Sequence, residues 1–529
     1  MVNSGDRGLS PHVVDSIESS ETSETSLSGL RLQLTSLGIL RATEAIAWTS
    51  IFPYVYFMIQ SFDGVPESQI TFYAGLLVAI FTFCEFLSGM IWARVSDRIG
   101  RKLVLLVGSV CGMIAALLLG VSRNLTLAIA SRAFGGLLNP NVGLIQTCVV
   151  ELAQKKGQQA KALSIVASIR STGSLIGPVL GGVLANPSVL YPSIFPANSI
   201  WTTYPFILPN LVVALLQLVS LIVVFLFLAE THPHLAGQSD IGLRLGTSLL
   251  SYLPGHAYKT SARDSYIYAR LDDLQRDGQM LGAEDISNDA HHGSEDTRTV
   301  PQNEQPPQMD QPKTVFTLQV VLQILSVSLL AFHKVSSDAV MPTFLATPLA
   351  TSAIGQASAS DFFRSRGGFG YSSRTIGLVL LSQAIVGLVA QALLVPRFID
   401  RVGPLRAYRI VLGIYPLMYI FTPLLPNLAS WVSLTLVILD AWIRVILSST
   451  GYICSAILTT NTASSRDFLA RINGASASAS CLSRSLGPIL TGKLFAIGLG
   501  IGQVAIAFWT LSAIALLGFV ESFFLKDQV

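Results

Sequence analysis

The sequence predicts an all-α polytopic membrane protein, with twelve transmembrane helices in two pseudo-symmetric six-helix bundles. Three observations predict it. Only 12% of the 529 residues are charged and 51% are hydrophobic, whereas a soluble domain carries roughly 25% charge. Apolar stretches such as Leu211–Leu228 and Ile501–Leu517 run with almost no charge, near the roughly 20 residues a helix needs to cross a bilayer. And two short motifs recur, in matching spans, about 300 residues apart.

The chain opens on a polar segment, "SIESSETSETSLS", too poor in apolar residues to build a core. Residues 1–34 are therefore expected to be a disordered cytosolic tail, and nothing there reads as a cleavable signal peptide. Runs of about 20 residues place spans 1 to 6 near 36–60, 70–92, 103–121, 125–150, 162–185 and 204–228. Residues 35–229 thus make a first bundle. The interval 230–314 differs in kind: "DTRTVPQNEQPPQMDQPK" is rich in Pro, Gln and acids and reads as a disordered cytosolic linker. Spans 7 to 12 follow near 316–345, 374–396, 407–425, 430–459, 469–497 and 501–525, giving a second bundle over 315–529.

Orientation follows from Lys and Arg, which favour the cytoplasmic side. Loops after spans 2, 4, 8 and 10 hold thirteen of them: Arg94, Arg98, Arg101, Lys102, Lys155, Lys156, Lys161, Arg397, Arg401, Arg406, Arg409, Arg466 and Arg471. The opposite loops hold four: Arg123, Arg364, Arg366 and Arg374. Both termini and the linker are expected in the cytosol. The plasma membrane is the favoured location over the vacuole.

The repeat is the next clue. "SDRIGR" (Ser96–Arg101) after span 2 returns as "IDRVGP" (Ile399–Pro404) after span 8, and "GSLIGPVLGG" (Gly173–Gly182) in span 5 returns as "SRSLGPILTG" (Ser483–Gly492) in span 11. The offsets are 303 residues for the Asp and 310 for the Gly-Pro pair. Duplicated halves around a midplane site are a common build for secondary transporters.

On these residues the chain resembles the major facilitator superfamily, and most of all its twelve-span drug:proton antiporters as found in fungi, the tetracycline-resistance-like type. The loop pattern Gly-x-x-x-Asp-Arg-x-Gly-Arg-Arg/Lys reads here Ala93, Asp97, Arg98, Gly100, Arg101 and Lys102, with Ala in place of the leading Gly. The antiporter pattern is complete at Gly173, Gly177, Pro178, Gly181 and Gly182. The fourth-span pattern Arg-x-x-Gln-Gly survives only as Arg132, Gly135 and Gly136, so any role of its Gln is lost. The resemblance implies that Asp97 and its arginines latch the cytosolic side, with Glu151 and Glu230 at the ends of spans 4 and 6 as partners. It also links Arg132 to proton coupling.

Charges inside spans are costly, each about 2.5–3.5 kcal/mol at the bilayer centre. Arg41 and Glu44, Lys334 and Asp338, and Asp440 and Arg444 are spaced three or four apart, so each pair shares a helix face and could simply neutralise itself. Against that, the Asp440–Arg444 pair sits near mid-span. Glu44 and Glu85 lie at similar depth and are candidates to exchange protons with a cavity. Arg170 and Arg484 neighbour the Gly-Pro motifs. His333 titrates near neutral pH when unperturbed, although a lone span histidine is more often a hydrogen-bonded packing residue. Trp48, Phe52, Tyr54, Tyr56 and Phe57 could stack on cargo or simply pack.

Other chemistries find no support. The five cysteines (Cys84, Cys111, Cys148, Cys454, Cys481) make no metal spacing, and neither a metal site nor a bound cofactor is expected. "GPILTGKL" (Gly487–Leu494) has Leu494 where a phosphate loop needs Ser or Thr. Asn124 begins a glycosylation sequon, but in a very short external loop. No catalytic constellation appears, so the chain reads as a non-enzyme. The expected function is proton-coupled antiport exporting small lipophilic compounds by alternating access, in a monomer with no nucleic-acid partner. A nutrient or metabolite uniporter or symporter, or a membrane sensor signalling through the linker, remain the alternatives.

Overall fold

The structure is a computed structural model that describes residues 11–153, 156–196, 198–232, 235, 240–251, 316–348, 365, 367–462 and 466–526. Helical segments occupy all twelve expected spans. Among the described residues, eight helices are long and apolar enough to cross a membrane by length and composition. The other four spans are helical but interrupted or rich in small polar residues. Span 1 runs as Pro11–Thr49 and, after a turn, Val55–Gln60. Span 4 is split into Leu125–Leu137 and Asn141–Leu152 because Pro140 cannot continue a hydrogen-bonded helix. Spans 5 and 11 are Lys156–Leu184 and Arg466–Gly500, dense in Gly, Ser and Ala.

The remaining spans are Ile70–Ile99 (span 2), Arg101–Gly120 (span 3), Ile207–Phe227 (span 6), Leu318–Ala346 (span 7), Ser373–Val402 with a π-helical turn at 390–394 (span 8), Pro404–Phe421 (span 9), Ser430–Asn461 (span 10) and Ala505–Glu521 (span 12). Span 6 shows the membrane logic. Leu215, Val219 and Ile222 are about half exposed, while Gln217 and Ser220 are buried. Apolar groups face outward and polar groups inward, as lipid demands.

Two of the polar segments carry helix in the described residues. The tail expected to be unstructured through residue 34 is helical from Pro11; adding turns to an already nucleated helix costs little. The expected linker is ordered at its start, where helix Ile241–Ser251 packs on the end of span 6. Gly242 and Gly246 allow this, since a Cβ there would lie within 2.1–2.2 Å of the carbonyls of Phe225 and Leu226. Residues 1–10 and 252–315 lie outside the described residues, as do Lys155, Arg364 and Arg366.

The repeat is visible in the packing. Gly100 and Gly403 both hold positive φ, 101° and 85°, at the equivalent breaks after spans 2 and 8. A Cβ on Gly177 would stand 2.8 Å from the Ile46 carbonyl of span 1, and one on Gly487 would stand 2.9 Å from the Phe332 carbonyl of span 7. Span 5 thus meets span 1 as span 11 meets span 7.

The halves join along two seams, span 2 with span 11 and span 5 with span 8. A Cβ on Gly75 would sit 2.3 Å from the Pro488 carbonyl, and one on Gly182 3.1 Å from the Gly377 Cα. Backbones meet there as they do at small-residue contacts in membranes generally. At the end away from Asp97 the halves share one apolar core, which includes Ile51, Tyr54 and Leu77 with Val335, Ile376 and Val437. At the charged end each half has its own core. One surrounds Val104, Ile145 and Val149, the other Tyr408, Val411 and Cys454.

The span 1–span 5 contact is the tightest to test. A Cβ on Gly181 would fall 1.8 Å from the Ser50 carbonyl, whereas Gly474 has nothing within 4 Å. Gly181→Ala is expected to cost about 2–3 kcal/mol and to lower the melting temperature of the detergent-purified protein. Gly474→Ala leaves it unchanged or slightly raised.

Candidate transport site

Between the halves lies a cavity of about 400 Å³, within the range that takes a drug-sized ligand. Its wall runs from Met341 and Leu345 near the shared core to Thr459, Asn461 and Asn473 at the charged end. Since the shared core closes one end and none closes the other, the cavity opens toward the charged loops. Trp48, Leu175, Val335, Leu380, Tyr419 and Tyr452 supply apolar wall, with Arg41, Arg170, Lys334, Asp338, Asp440, Arg444 and Arg484 set into it.

One charged network crosses from half to half. Arg41 Nη1 pairs with Glu44 Oε2 at 2.5 Å. Asn139 Nδ2 donates to Glu44 Oε1 at 2.9 Å and to Glu85 Oε1 at 3.0 Å, so a single amide joins the two carboxylates. Across the span 2–span 11 seam, Arg484 Nη2 stands 3.8 Å from Glu85 Oε2. It also donates to Cys481 Sγ at 2.8 Å. The thiol in turn donates to Glu85 Oε2 at 3.7 Å. The Arg484 guanidinium lies 5.9 Å from the centre of the Trp48 ring, a cation–π distance.

A second group belongs to the second half alone. Lys334 and Asp338 form an ion pair one helical turn apart. Asp440 pairs with Arg444 at 2.8 Å and accepts from the Thr422 hydroxyl at 3.0 Å. Arg444 donates to Ser337 Oγ at 2.5 Å and to Thr422, and lies over the Tyr419 ring. His333 stands behind this group, 0% exposed, with Nδ1 3.0 Å from the Tyr419 hydroxyl and its ring against Tyr415. It does not line the cavity, and its surroundings are those of a packing residue.

Arg132 also lies away from the main cavity. Buried within the first half, it donates from Nε to the Leu77 carbonyl at 3.1 Å and covers the Phe81 ring at 4.5 Å. It faces a smaller cavity of about 60 Å³ shared with Glu44, Asn139 and Gln217.

The loop after span 2 is a compact electrostatic unit. Arg101 pairs with Asp97 at 2.5 Å and with Glu151 at 3.3 Å, and donates to Ser96 Oγ at 2.6 Å. Glu230 caps span 3 by accepting from the backbone N–H groups of Arg101 at 2.8 Å and Lys102 at 3.1 Å. A carboxylate is at home on a helix N-terminus. Glycine suits position 100 because its φ of 101° is a backbone conformation that L side chains rarely adopt. Lys102 pairs with Asp240 at 2.6 Å. Each of these contacts stays within the first bundle and the segment after it. Asp97 is more than half exposed, and Arg98 points into solvent. In this arrangement these groups tie parts of the first half together.

The span 5 motif packs against span 1. A Cβ on Gly173 would stand 2.5 Å from the Ala42 carbonyl, and Pro178 lines the cavity within an unbroken helix. Asn124 caps the first part of span 4, accepting from the Leu127 N–H at 2.8 Å, so its side chain already serves the helix. Three participants escape sequence reasoning: Asn139, Cys481 and Asp240. Only Asn139 carried a signal, because Asn-Pro-Asn in mid-span marks a broken helix.

With the geometry in view, comparison with known proteins decides the family. Residues 37–488 match the Major Facilitator Superfamily. The chain belongs to that superfamily. It is 37% identical over 516 residues to the "Major facilitator superfamily multidrug transporter mfsB" of Aspergillus fumigatus, covering 94% of this chain and 83% of that one. It is 26% identical to the Arabidopsis thaliana "Protein ZINC INDUCED FACILITATOR-LIKE 1", covering 88% and 84%. Among solved structures, the human organic anion transporter MFSD10 (TETRAN) superposes with a TM-score of 0.56 at 17% identity, covering 93% of this chain and 99% of that one. The E. coli xylose transporter XylE in a partially occluded inward open conformation gives 0.58 at 12%, covering 94% and 98%. At those identities the structures speak to fold alone. As a member of the superfamily the chain is a multi-pass membrane transporter of small molecules, not an enzyme.

The cross-seam pair makes a direct prediction. Arg484→Met strands the Glu85 carboxylate and is expected to destabilise by about 3–5 kcal/mol. Adding Glu85→Gln recovers most of the loss in a double-mutant cycle read by thermal unfolding. Strictly additive losses would mean the two groups do not interact.

Proposed function

We propose that this chain exports small lipophilic organic compounds in exchange for protons, by alternating access of the central cavity. The observation that carries the proposal is the pairing of Glu85 from the first half with Arg484 from the second, across the span 2–span 11 seam. A proton on Glu85 removes half of that interaction. Ion pairs across an interface are worth little when wet and more when dry, so protonation biases the halves between two arrangements without freezing either. Glu44, joined to Glu85 through Asn139, is the second candidate carrier. Asp97, Arg98 and Arg101 stand where they can latch the charged end once it closes.

The complete span 5 motif and the likeness to a fungal multidrug transporter support the drug-export reading. The lysine and arginine bias supports cytosolic termini, and the plasma membrane is the site where export would matter. The protein works as a monomer with protons as its energy source and without a bound cofactor.

Efflux of a panel of lipophilic dyes from cells lacking their own exporters tests the proposal. Export should be lost when a protonophore is added, weakened by Asp97→Asn and uncoupled from protons by Glu85→Gln. Unchanged accumulation of every dye, with the protein confirmed at the cell surface, would rule out a broad drug exporter.

A further inference from the structure

We infer that the cargo of this transporter is an organic anion: an apolar, flat body bearing a carboxylate, sulfonate or similar acidic group, bound at Arg170. The inference rests on the central cavity being the transport site, and holds whichever ion drives the cycle.

The charge of the wall carries it. Among the described residues, five basic side chains line the cavity (Arg41, Arg170, Lys334, Arg444 and Arg484) against two acids, Asp338 and Asp440. Glu44 and Glu85, counted from behind the wall, still leave five positive charges facing four negative ones. Four of the five cations are answered: Arg41 by Glu44, Lys334 by Asp338, Arg444 by Asp440 and Arg484 by Glu85. Arg170 sits on span 5 in the cavity wall and is in none of these ion pairs; two further cations, Arg41 and Arg484, act on it, with a weaker pull from Tyr452 and Glu44.

A guanidinium without an ion pair inside a bilayer is expensive, and an acidic group on a cargo would supply the close counter-charge that the described residues do not give Arg170. A planar fork of N–H donors suits a carboxylate or sulfonate better than it suits any cation. Trp48, whose ring faces the Arg484 guanidinium, offers an apolar surface on the same wall. A cationic drug would meet the opposite: a net positive cavity, with both lining acids already paired. The membrane potential agrees in sign, since an inside-negative cell drives anions outward.

Charge-selective labelling tests the inference without knowing the cargo. Ser480, on the cavity wall, is changed to Cys in the full-length chain with its five native cysteines replaced. An anionic and a cationic methanethiosulfonate reagent of similar size are then compared. Relative to their ratio on a free thiol, the anionic reagent should be favoured at least several-fold, and Arg170→Gln should bring the ratio back toward the free-thiol value. Arg170→Lys should keep it. A ratio favouring the cationic reagent, or one that Arg170→Gln does not move, overturns the inference while leaving the cavity a transport site. Ser480→Cys that neither reagent reaches would instead overturn the transport-site reading itself.

The chain with its native cysteines provides a second measurement. Fluorescence polarisation with fluorescein and the cation rhodamine 123 compares opposite charges on one xanthene ring system. Fluorescein should bind more tightly than rhodamine 123, and Arg170→Gln should weaken it about ten-fold. Preference for rhodamine 123 would contradict the inference.

Discussion

Spans 2 and 11, and spans 5 and 8, touch where only glycine lets them: Gly75 against the Pro488 carbonyl and Gly182 against Gly377. This close approach holds two otherwise separate six-helix bundles face to face, and the other features of the molecule depend on it. Lipid offers no hydrophobic drive to bring helices together, so packing and polar contacts must do it. The seams run beside the cavity rather than through it, which lets the bundles lean on each other and still enclose space. Where apolar side chains from both halves interlock, from Ile51 and Leu77 to Val335 and Val437, the cavity is shut. Where the two cores stay apart, it is open.

The charged groups are distributed accordingly. Those that close on themselves lie within one half, such as Asp440 with Arg444 and Lys334 with Asp338. Glu85 and Arg484 face each other across a seam, and that contact must change if the bundles rock. The loop after span 2 keeps its carboxylate–arginine contacts inside the first bundle while the charged end is open. Asp97 is left more than half exposed.

Sequence reasoning placed apolar spans where the structure has helices, and found the repeat, because each rests on local pattern: apolar run length and motif spacing. The structure extended the first helix back to Pro11 and ordered Ile241–Ser251. Neither was legible, since Gly242 and Gly246 show their purpose only when span 6 lies beneath them. The candidate charges were legible as costly residues in greasy helices, but their partners were not. Asn139 joins Glu44 to Glu85 over 95 and 54 residues of chain, and Cys481 meets Glu85 over 396. Lone charges in adjacent helices carry no mark of which will meet. His333 and Arg132 looked alike as buried ionisable groups, yet one packs against tyrosines and the other caps a separate cavity. Only three-dimensional neighbours separate them.

The central claim is that the two ends of the cavity open in alternation. Spin labels at Ser61 and Ser372 report the sealed end, and labels at Val150 and Thr462 report the charged end. Their distances would be measured by pulsed electron resonance in lipid nanodiscs, from alkaline to acidic pH. The account predicts two populations in opposition, with the Ser61–Ser372 distance lengthening as the Val150–Thr462 distance shortens. Distances that stay fixed across the range, or that lengthen together, would contradict it.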